Sequence, residues 1–201
     1  VTGAGARTPH WCASCLRLPL DGIDGCHAAV SYGWPWQACV DGFKFGAQTG
    51  WATALAGVML RDPLVRQAIR TCDALVPMPL HPLRLAERGY NQSLLLAQAL
   101  RRCTDREEKL DRHQAVVRHD WLLRIRNTQA QSRLSLAQRL RNVRQAFAVA
   151  ANQSSQLHGK RVVLVDDVMT SGASVQAAAQ TLRTAGVHQL RVVVFARTEK
   201  P

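Results

Sequence analysis

The sequence predicts an α/β fold in which helices flank a mainly parallel sheet. Residues 162–165 form a short apolar run without polar alternation, which is typical of a central strand covered on both faces. Apolar side chains then recur at helical spacing from Val175 to Leu182, and Gly186 ends the run. Residues 190–195 predict a last core strand. The second half of the chain therefore predicts a strand, a loop, a helix and another strand.

Length and composition indicate one domain of moderate size with a small appendage. We expect residues 1–27 to form a loop-rich, cysteine-containing segment and residues 28–201 to form the main α/β domain. With 47% hydrophobic residues among 201, the chain can build a real core. No apolar stretch is long enough to cross a bilayer and nothing at the start resembles a signal peptide, so we expect a cytoplasmic protein without membrane insertion.

The six cysteines are scattered without the rhythm of a disulfide scaffold, so reduced thiols are expected. Cys12 and Cys15 form the one close pair, and such a pair is half of a zinc knuckle. Tetrahedral zinc needs four ligands, for which His10, Cys26 and His27 are candidates. The alternative is a pair of reduced surface cysteines.

The main domain is predicted to open with a strand over residues 28–33 and an amphipathic helical turn over 36–45. In Phe43-Lys44-Phe45, alternation would place both rings in the core and leave Lys44 in solvent. Small and apolar residues over 49–60 predict a helix.

Residues 73–82 predict a buried strand that runs into a proline-rich turn. The turn comprises Pro79, Leu80 and His81, and it fixes the backbone where the strand ends. A purely structural turn is the alternative interpretation.

Residues 84–93 predict a mobile loop with cationic tips. Arg84 and Arg88 suit phosphate oxygens, because a guanidinium group can bind two of them at once. The alternative is the start of a helix that is capped by Asn91 or Ser93.

The net charge of +12 is unevenly distributed, since residues 112–160 contain nine Arg or Lys against the single acid Asp120. Such a region suits polyphosphate substrates or nucleic acid, although a solvated helical face would look the same. Within it, residues 135–145 predict a helix, and its basic face carries candidate DNA-binding residues, namely Arg139, Arg141 and Arg144.

Two adjacent acids, Asp166 and Asp167, follow the predicted central strand at the edge where open α/β sheets bind ligands. The loop after them offers backbone N–H groups and hydroxyls at the start of a helix, which predicts a phosphate cradle. Its residues are Thr170, Ser171, Gly172, Ala173 and Ser174. Because the acids would repel a phosphate, they indicate sugar hydroxyls or Mg²⁺, and a ribose phosphate fits the combination. An ordinary strand-to-helix turn is the alternative.

Residues 163–174, Val-Leu-Val-Asp-Asp-Val-Met-Thr-Ser-Gly-Ala-Ser, resemble the phosphoribosyl-pyrophosphate (PRPP) motif of the type I phosphoribosyltransferases. Together with Val-Pro-Met-Pro-Leu at 76–80, Arg-Gly-Tyr-Asn-Gln at 88–92 and Thr128-Gln129, this motif resembles the ComF group, which is named for a competence protein. The resemblance implies a type I phosphoribosyltransferase-like sheet over most of the chain.

The resemblance also implies roles for the candidate residues. The acid pair would contact the ribose hydroxyls, the 170–174 loop would hold the 5′-phosphate, and Pro79, Leu80 and His81 would form the pyrophosphate loop. Arg84 and Arg88 would offset the charge of the leaving group, with Mg²⁺ bridging pyrophosphate and ribose oxygens.

Three functional hypotheses follow. The first is a phosphoribosyltransferase whose nitrogen acceptor is unknown, and the second is a non-catalytic PRPP-binding regulator or partner of single-stranded DNA and competence proteins. The third is a zinc-knuckle interaction module on a degenerate fold.

Overall fold

The computed structural model describes residues 21–107, 115–127 and 145–198. In the first half of the described chain, the helices and strands are β1 (Gly25–Ser31), α1 (Trp36–Phe45), α2 (Trp51–Met59), α3 (Pro63–Thr71), β2 (Ala74–Pro77), α4 (Pro82–Arg88) and α5 (Gln92–Glu107). Those of the second half are β3 (Val116–Val117), β4 (Leu122–Arg124), β5 (Phe147–Val149), α6 (Ser154–Leu157), β6 (Arg161–Met169), α7 (Ala173–Thr184) and β7 (Gln189–Arg197).

Five strands form a fully parallel sheet in the order β1-β7-β6-β2-β3, and β4 and β5 form a separate antiparallel pair. The predicted α/β class, with helices around a parallel sheet as in type I phosphoribosyltransferases, is confirmed. Among the described residues, no helix has both the length and the apolar character needed to span a membrane.

The central strand β6 is buried on both faces because successive side chains point to opposite sides of the sheet. Val163 and Val165 belong to an apolar cluster with α1, α2, α3 and α5. Val162 and Leu164 belong to a second cluster with α7 and the β4–β5 pair. The sheet therefore has two cores, and its carboxyl edge remains open for polar groups.

Several predicted boundaries move. β1 begins at Gly25, earlier than predicted, and β6 runs on to Met169, so that the acid pair lies inside the strand. The neighbouring strand β7 explains the extension, because it continues to pair with Val168 and Met169.

The prediction of a loop over residues 84–93 was wrong for most of its length, since α4 covers residues 84–88 and α5 begins at Gln92. Pro82 begins α4, and the His81 side chain caps it by accepting a hydrogen bond from the Leu83 N–H (3.3 Å). Gly89 then ends the helix with a positive φ of 81°, which glycine adopts at little cost. The Cys12/Cys15 pair and residues 135–144 of the predicted 135–145 helix lie outside the described residues.

We expect Leu164→Ala to lower the free energy of unfolding by about 2–5 kcal/mol, because Leu164 is fully buried in the central strand and its loss leaves a cavity. Urea titration followed by circular dichroism measures this change. The matched control is Leu64→Ala on α3, where the side chain is 49% exposed. Equal losses for the two variants would contradict the placement of β6 at the centre of the core.

Candidate functional site

The acid pair lies inside β6, near its carboxyl end, and is largely withdrawn from solvent. Asp167 is 2% exposed and Asp166 is partly buried. One oxygen of Asp166 accepts hydrogen bonds from the Ser93 hydroxyl (2.8 Å) and from the Asp167 N–H (2.9 Å). One oxygen of Asp167 accepts from the Val168 N–H (2.9 Å). Each carboxylate thus has one oxygen fixed by the protein and a second oxygen for other partners.

The second oxygen of Asp167 forms an ion pair with Lys44, whose Nζ lies 3.1 Å from Oδ2. Among the described residues, this buried oxygen accepts no aligned hydrogen bond. The prediction of a solvated Lys44 between two buried rings was therefore wrong. The segment is helical, so successive side chains turn by about 100° instead of alternating. Phe43 is buried, Phe45 is 74% exposed, and Lys44 projects between them toward the sheet.

Burial is the main reason that the pKa of Asp166 rises to about 7, and the negative charge of Asp167 adds to the rise. Lys44 and the hydrogen bond from Ser93 oppose this rise and favour the ionised carboxylate. The protonation state of Asp166 therefore depends on a lysine and a serine that sequence reasoning did not assign to the site.

The loop after β6, which the sequence predicts to be a phosphate cradle, leads directly into α7. Thr170 is exposed, and the Ser171 hydroxyl accepts a long hydrogen bond from the Ala173 N–H (3.4 Å). Gly172 stands directly before α7 with a positive φ of 77°, a conformation that disfavours residues with a side chain. The first N–H groups of the twelve-residue helix α7, from Ala173 and Ser174 onward, have no partners within the helix and can donate hydrogen bonds to an anion.

The turn after β2 lies beside the acid pair. The Met78 N–H donates to the Val165 carbonyl (2.8 Å), which continues the pairing of β2 with β6 up to the acids. Pro79 is buried, and Leu80 and His81 follow as partly buried residues. Asn91 holds the turn from the other side, because its side-chain amide donates to the Met78 carbonyl (3.1 Å).

The alternative interpretation, a helix start capped by Asn91 or Ser93, is confirmed with Asn91 as the cap. The Asn91 side chain accepts hydrogen bonds from the N–H groups of Ser93 (2.9 Å) and Leu94 (3.3 Å), which caps α5. Ser93 instead directs its hydroxyl to Asp166. A polar residue directly before the apolar run Leu94-Leu95-Leu96-Ala97 was the sequence signal for this contact.

Arg84 and Arg88 line a pocket of about 420 Å³ next to the acid pair, together with Lys44, Phe45, Ala47, Glu87 and Tyr90. The Arg84 guanidinium lies 4.0 Å from Glu87, at the limit of an ion pair. Arg88 lies over the Phe45 ring at 5.3 Å and donates to the Gln92 side chain. Three cationic side chains and one acidic one make this pocket suitable for an anion. We call it the cationic pocket.

Arg124 on β4 is a further cation near the acids. Its pKa is lowered mainly by burial, and the charge of Asp166 opposes that effect while Arg84 reinforces it. The residue therefore lies within electrostatic reach of both the acid pair and the cationic pocket. Its position depends on the pairing of β4 with β5, which are separated by residues outside the described ranges.

The donor set suits Mg²⁺ that is shared with a ligand. Magnesium commonly uses one or two carboxylates and completes its octahedron with water and phosphate oxygens, so Asp166 and Asp167 could supply the protein's part. Across residues 21–107, 115–127 and 145–198, no group of three or more His, Cys, Asp or Glu side chains gathers into a metal site. Cys26 is embedded in β1, with Sγ 3.9 Å from the Met169 sulfur.

The predicted zinc ligands Cys12 and Cys15 and the predicted DNA-binding residues Arg139, Arg141 and Arg144 fall outside the described residues. Both assignments stay predictions.

Comparison with known proteins agrees with the fold. Residues 109–201 match the family model of the phosphoribosyl transferase domain. The chain is 31% identical over 166 residues to competence protein F of Haemophilus influenzae, which covers 81% of this chain and 68% of that protein. It is 30% identical over 193 residues to DNA utilization protein YhgH of Escherichia coli, covering 93% and 78% respectively. Competence protein ComFC of Bacillus subtilis is 34% identical over 112 residues, 56% of this chain and 39% of that protein.

We expect Asp166→Asn to become progressively more stable relative to the wild type as the pH rises from about 4 to about 7. Because the pKa of Asp166 is raised in the folded state, its contribution to stability is complete below the unfolded pKa, near 4, and is lost toward pH 7. Asparagine keeps the acceptor oxygen but cannot ionise.

Urea titrations at pH 5 and pH 8 measure this effect as the difference in unfolding free energy between variant and wild type. That difference should shift in favour of the variant by at least about 1 kcal/mol between the two pH values. Asp105→Asn removes a carboxylate from the surface of α5 outside the site and is the matched control. A difference that does not change with pH would contradict the raised pKa.

Proposed function

Because this chain belongs to the ComF family of phosphoribosyltransferase-like proteins, we propose that it binds PRPP at the carboxyl edge of its parallel sheet. The observation that carries the proposal is the continuity of β6, the buried acid pair and the Gly172 loop at the start of α7. A sugar with hydroxyls on one side and a phosphate on the other fits this sequence of acceptors and donors.

The ribose hydroxyls donate to Asp166 and Asp167, whose fixed oxygens hold the carboxylates in place. The 5′-phosphate accepts hydrogen bonds from the backbone and hydroxyls of residues 170–174. The pyrophosphate group lies at the other side of the acids, where the 79–81 turn offers its backbone and the cationic pocket offers Arg84 and Arg88.

As an enzyme, the protein would transfer the phosphoribosyl group to a nitrogen acceptor. The bond between ribose C1 and the pyrophosphate oxygen breaks, and its electron pair leaves with the pyrophosphate. The acceptor nitrogen donates its lone pair to C1 and releases a proton to water. Mg²⁺, which Asp166 and Asp167 would help to hold, supplies positive charge to the pyrophosphate when it is bound.

The chain's own contribution to this reaction is position and charge. Asp166 and Asp167 place negative charge beside a ribose ring that becomes cationic in the transition state, and Arg84 and Arg88 stabilise the departing anion. Three described cysteines that form no disulfide, Cys39, Cys72 and Cys103, suit a reducing compartment, and a cytoplasmic location is part of the proposal.

We expect the double variant Asp166→Asn/Asp167→Asn to lose PRPP binding while it keeps its fold, because amides at these positions no longer attract Mg²⁺ or ribose hydroxyls strongly. Isothermal titration with PRPP and Mg²⁺ measures the affinity, and circular dichroism checks the fold.

The matched control is Asp105→Asn/Asp120→Asn, which removes the same charge from ion pairs with Arg101 and Arg118 outside the site. Unchanged PRPP affinity in the Asp166/Asp167 variant would rule out the proposed ribose site.

In a second candidate function, the protein is a partner of competence proteins that binds both PRPP and single-stranded DNA and does not turn PRPP over. The relatives named competence protein F and DNA utilization protein YhgH favour this candidate, as does the basic composition of residues 112–160. In this proposal, Arg139, Arg141 and Arg144 bind DNA phosphates.

We expect Arg139→Ala/Arg144→Ala to weaken single-stranded DNA binding at low salt and to leave PRPP binding unchanged, because each substitution removes one contact between an arginine and a DNA phosphate. Fluorescence anisotropy with a labelled oligonucleotide over a salt series measures the affinity and its slope. Arg61→Ala/Arg102→Ala, two exposed arginines on the main domain, is the charge-matched control. Loss of PRPP binding in the first variant would instead assign the 135–145 segment to the ribose site.

A further inference from the structure

Lys44 belongs to two parts of the site at once. Its Nζ lies 3.1 Å from Asp167 Oδ2, so its charge neutralises the acid pair. Its side chain also lines the cationic pocket that contains Arg84 and Arg88. No other residue of that pocket contacts the acid pair through an ion pair among the described residues.

The backbone at Lys44 is held firmly, while its side chain remains adjustable. Phe43 is fully buried beneath it, and the Tyr90 hydroxyl donates to the Phe43 carbonyl. Gly46 then ends α1 with its N–H bonded to the Gly42 carbonyl (3.0 Å). A lysine ammonium on a flexible four-carbon stem can exchange partners without any movement of such a helix.

The ion pair with Asp167 holds the Lys44 side chain in place when no ligand is bound. A carboxylate that is 2% exposed needs a counter-charge, and the Oδ2 atom has only the ion pair with Lys44 among described groups. Ribose hydroxyls at the acid pair would offer new donors to Asp167. An anion in the cationic pocket would at the same moment offer Lys44 a new partner.

We propose that Lys44 exchanges partners when PRPP binds. Its ammonium group moves from Asp167 to the pyrophosphate group and acts there as the third cation of the cationic pocket, beside Arg84 and Arg88. This inference rests on the proposed function, because it requires a ribose at the acid pair and a pyrophosphate beside Arg84 and Arg88. As the C1–oxygen bond breaks and the electron pair stays with pyrophosphate, Lys44 stabilises the added negative charge by attraction alone.

The exchange couples the two halves of the site. In the absence of a ribose ligand, Asp167 competes with pyrophosphate for Lys44. Once ribose hydroxyls occupy the acid pair, the lysine is released and pyrophosphate binds more tightly. Pyrophosphate and ribose 5-phosphate should therefore bind with positive cooperativity, and the coupling must be reciprocal.

The test is calorimetric titration of wild type and Lys44→Met with PRPP, with pyrophosphate and with ribose 5-phosphate, each in the presence of Mg²⁺. Because one charge-assisted contact to pyrophosphate is lost, we expect PRPP and pyrophosphate to bind at least about tenfold more weakly. Ribose 5-phosphate should stay within about threefold of wild type, and its cooperativity with pyrophosphate should disappear. Lys160→Met, at the opposite edge of the sheet, is the matched control and should change none of these affinities.

Equal weakening of all three ligands would show that Lys44 only neutralises Asp167, and unchanged pyrophosphate binding would show that it makes no contact there. Either result would overturn the inference while leaving PRPP binding by the wild type intact. A wild type that binds neither PRPP nor ribose 5-phosphate would overturn the proposed function, and the inference with it.

Lys44→Met leaves Asp167 buried without its counter-charge, so the same comparison is also made between Asp167→Asn and Lys44→Met/Asp167→Asn. Neither of these variants carries an unpaired charge at position 167. Pyrophosphate should bind at least about tenfold more weakly to the double variant than to Asp167→Asn. Equal pyrophosphate affinities in this pair would overturn the inference even if Lys44→Met alone did not fold.

Discussion

The two neighbouring carboxylates near the end of β6 are largely buried, and the groups around them offset the free-energy cost of that burial. Desolvation and mutual repulsion both disfavour a second negative charge, which raises the pKa of Asp166 to about 7. Ser93 and Lys44 act in the opposite direction, one by a hydrogen bond and the other by its charge. Ser93 lies at the start of α5 and Lys44 at the end of α1. The start of one helix and the end of another must therefore lie beside the acid pair.

The scaffold that meets this requirement is the parallel sheet. Because all five strands run in one direction, the ends of β2 and β6 share an edge, and the turn that follows β2 lies beside the acids. The two apolar clusters on the faces of the sheet carry the stability. Polar groups that would weaken a core are confined to the edge, where they can meet a ligand.

Much of this arrangement can be predicted from local sequence. The apolar run at 162–165, the helical spacing after Ser174 and the adjacent acids define the strand, the helix and the loop between them. Lys44 was missed because strand periodicity was applied to a helix, in which the residue between Phe43 and Phe45 turns toward the sheet. The helix over 82–88 was missed because two arginines and a glycine suggest a loop, whereas Pro82 and the His81 cap begin a helix. Arg124 depends on a non-local strand pair that no local pattern can indicate.

The pairing of β1 with β7 joins the first strand of the described chain to the last. During synthesis on the ribosome, β1 therefore has no strand partner until β7 has emerged. Such long-range pairings slow folding. Apolar strands then stay exposed for longer and can associate with strands of other molecules. A truncation that removes β7 should thus leave β1 without its partner strand and lower the yield of soluble protein more than it alters the chemistry of the site.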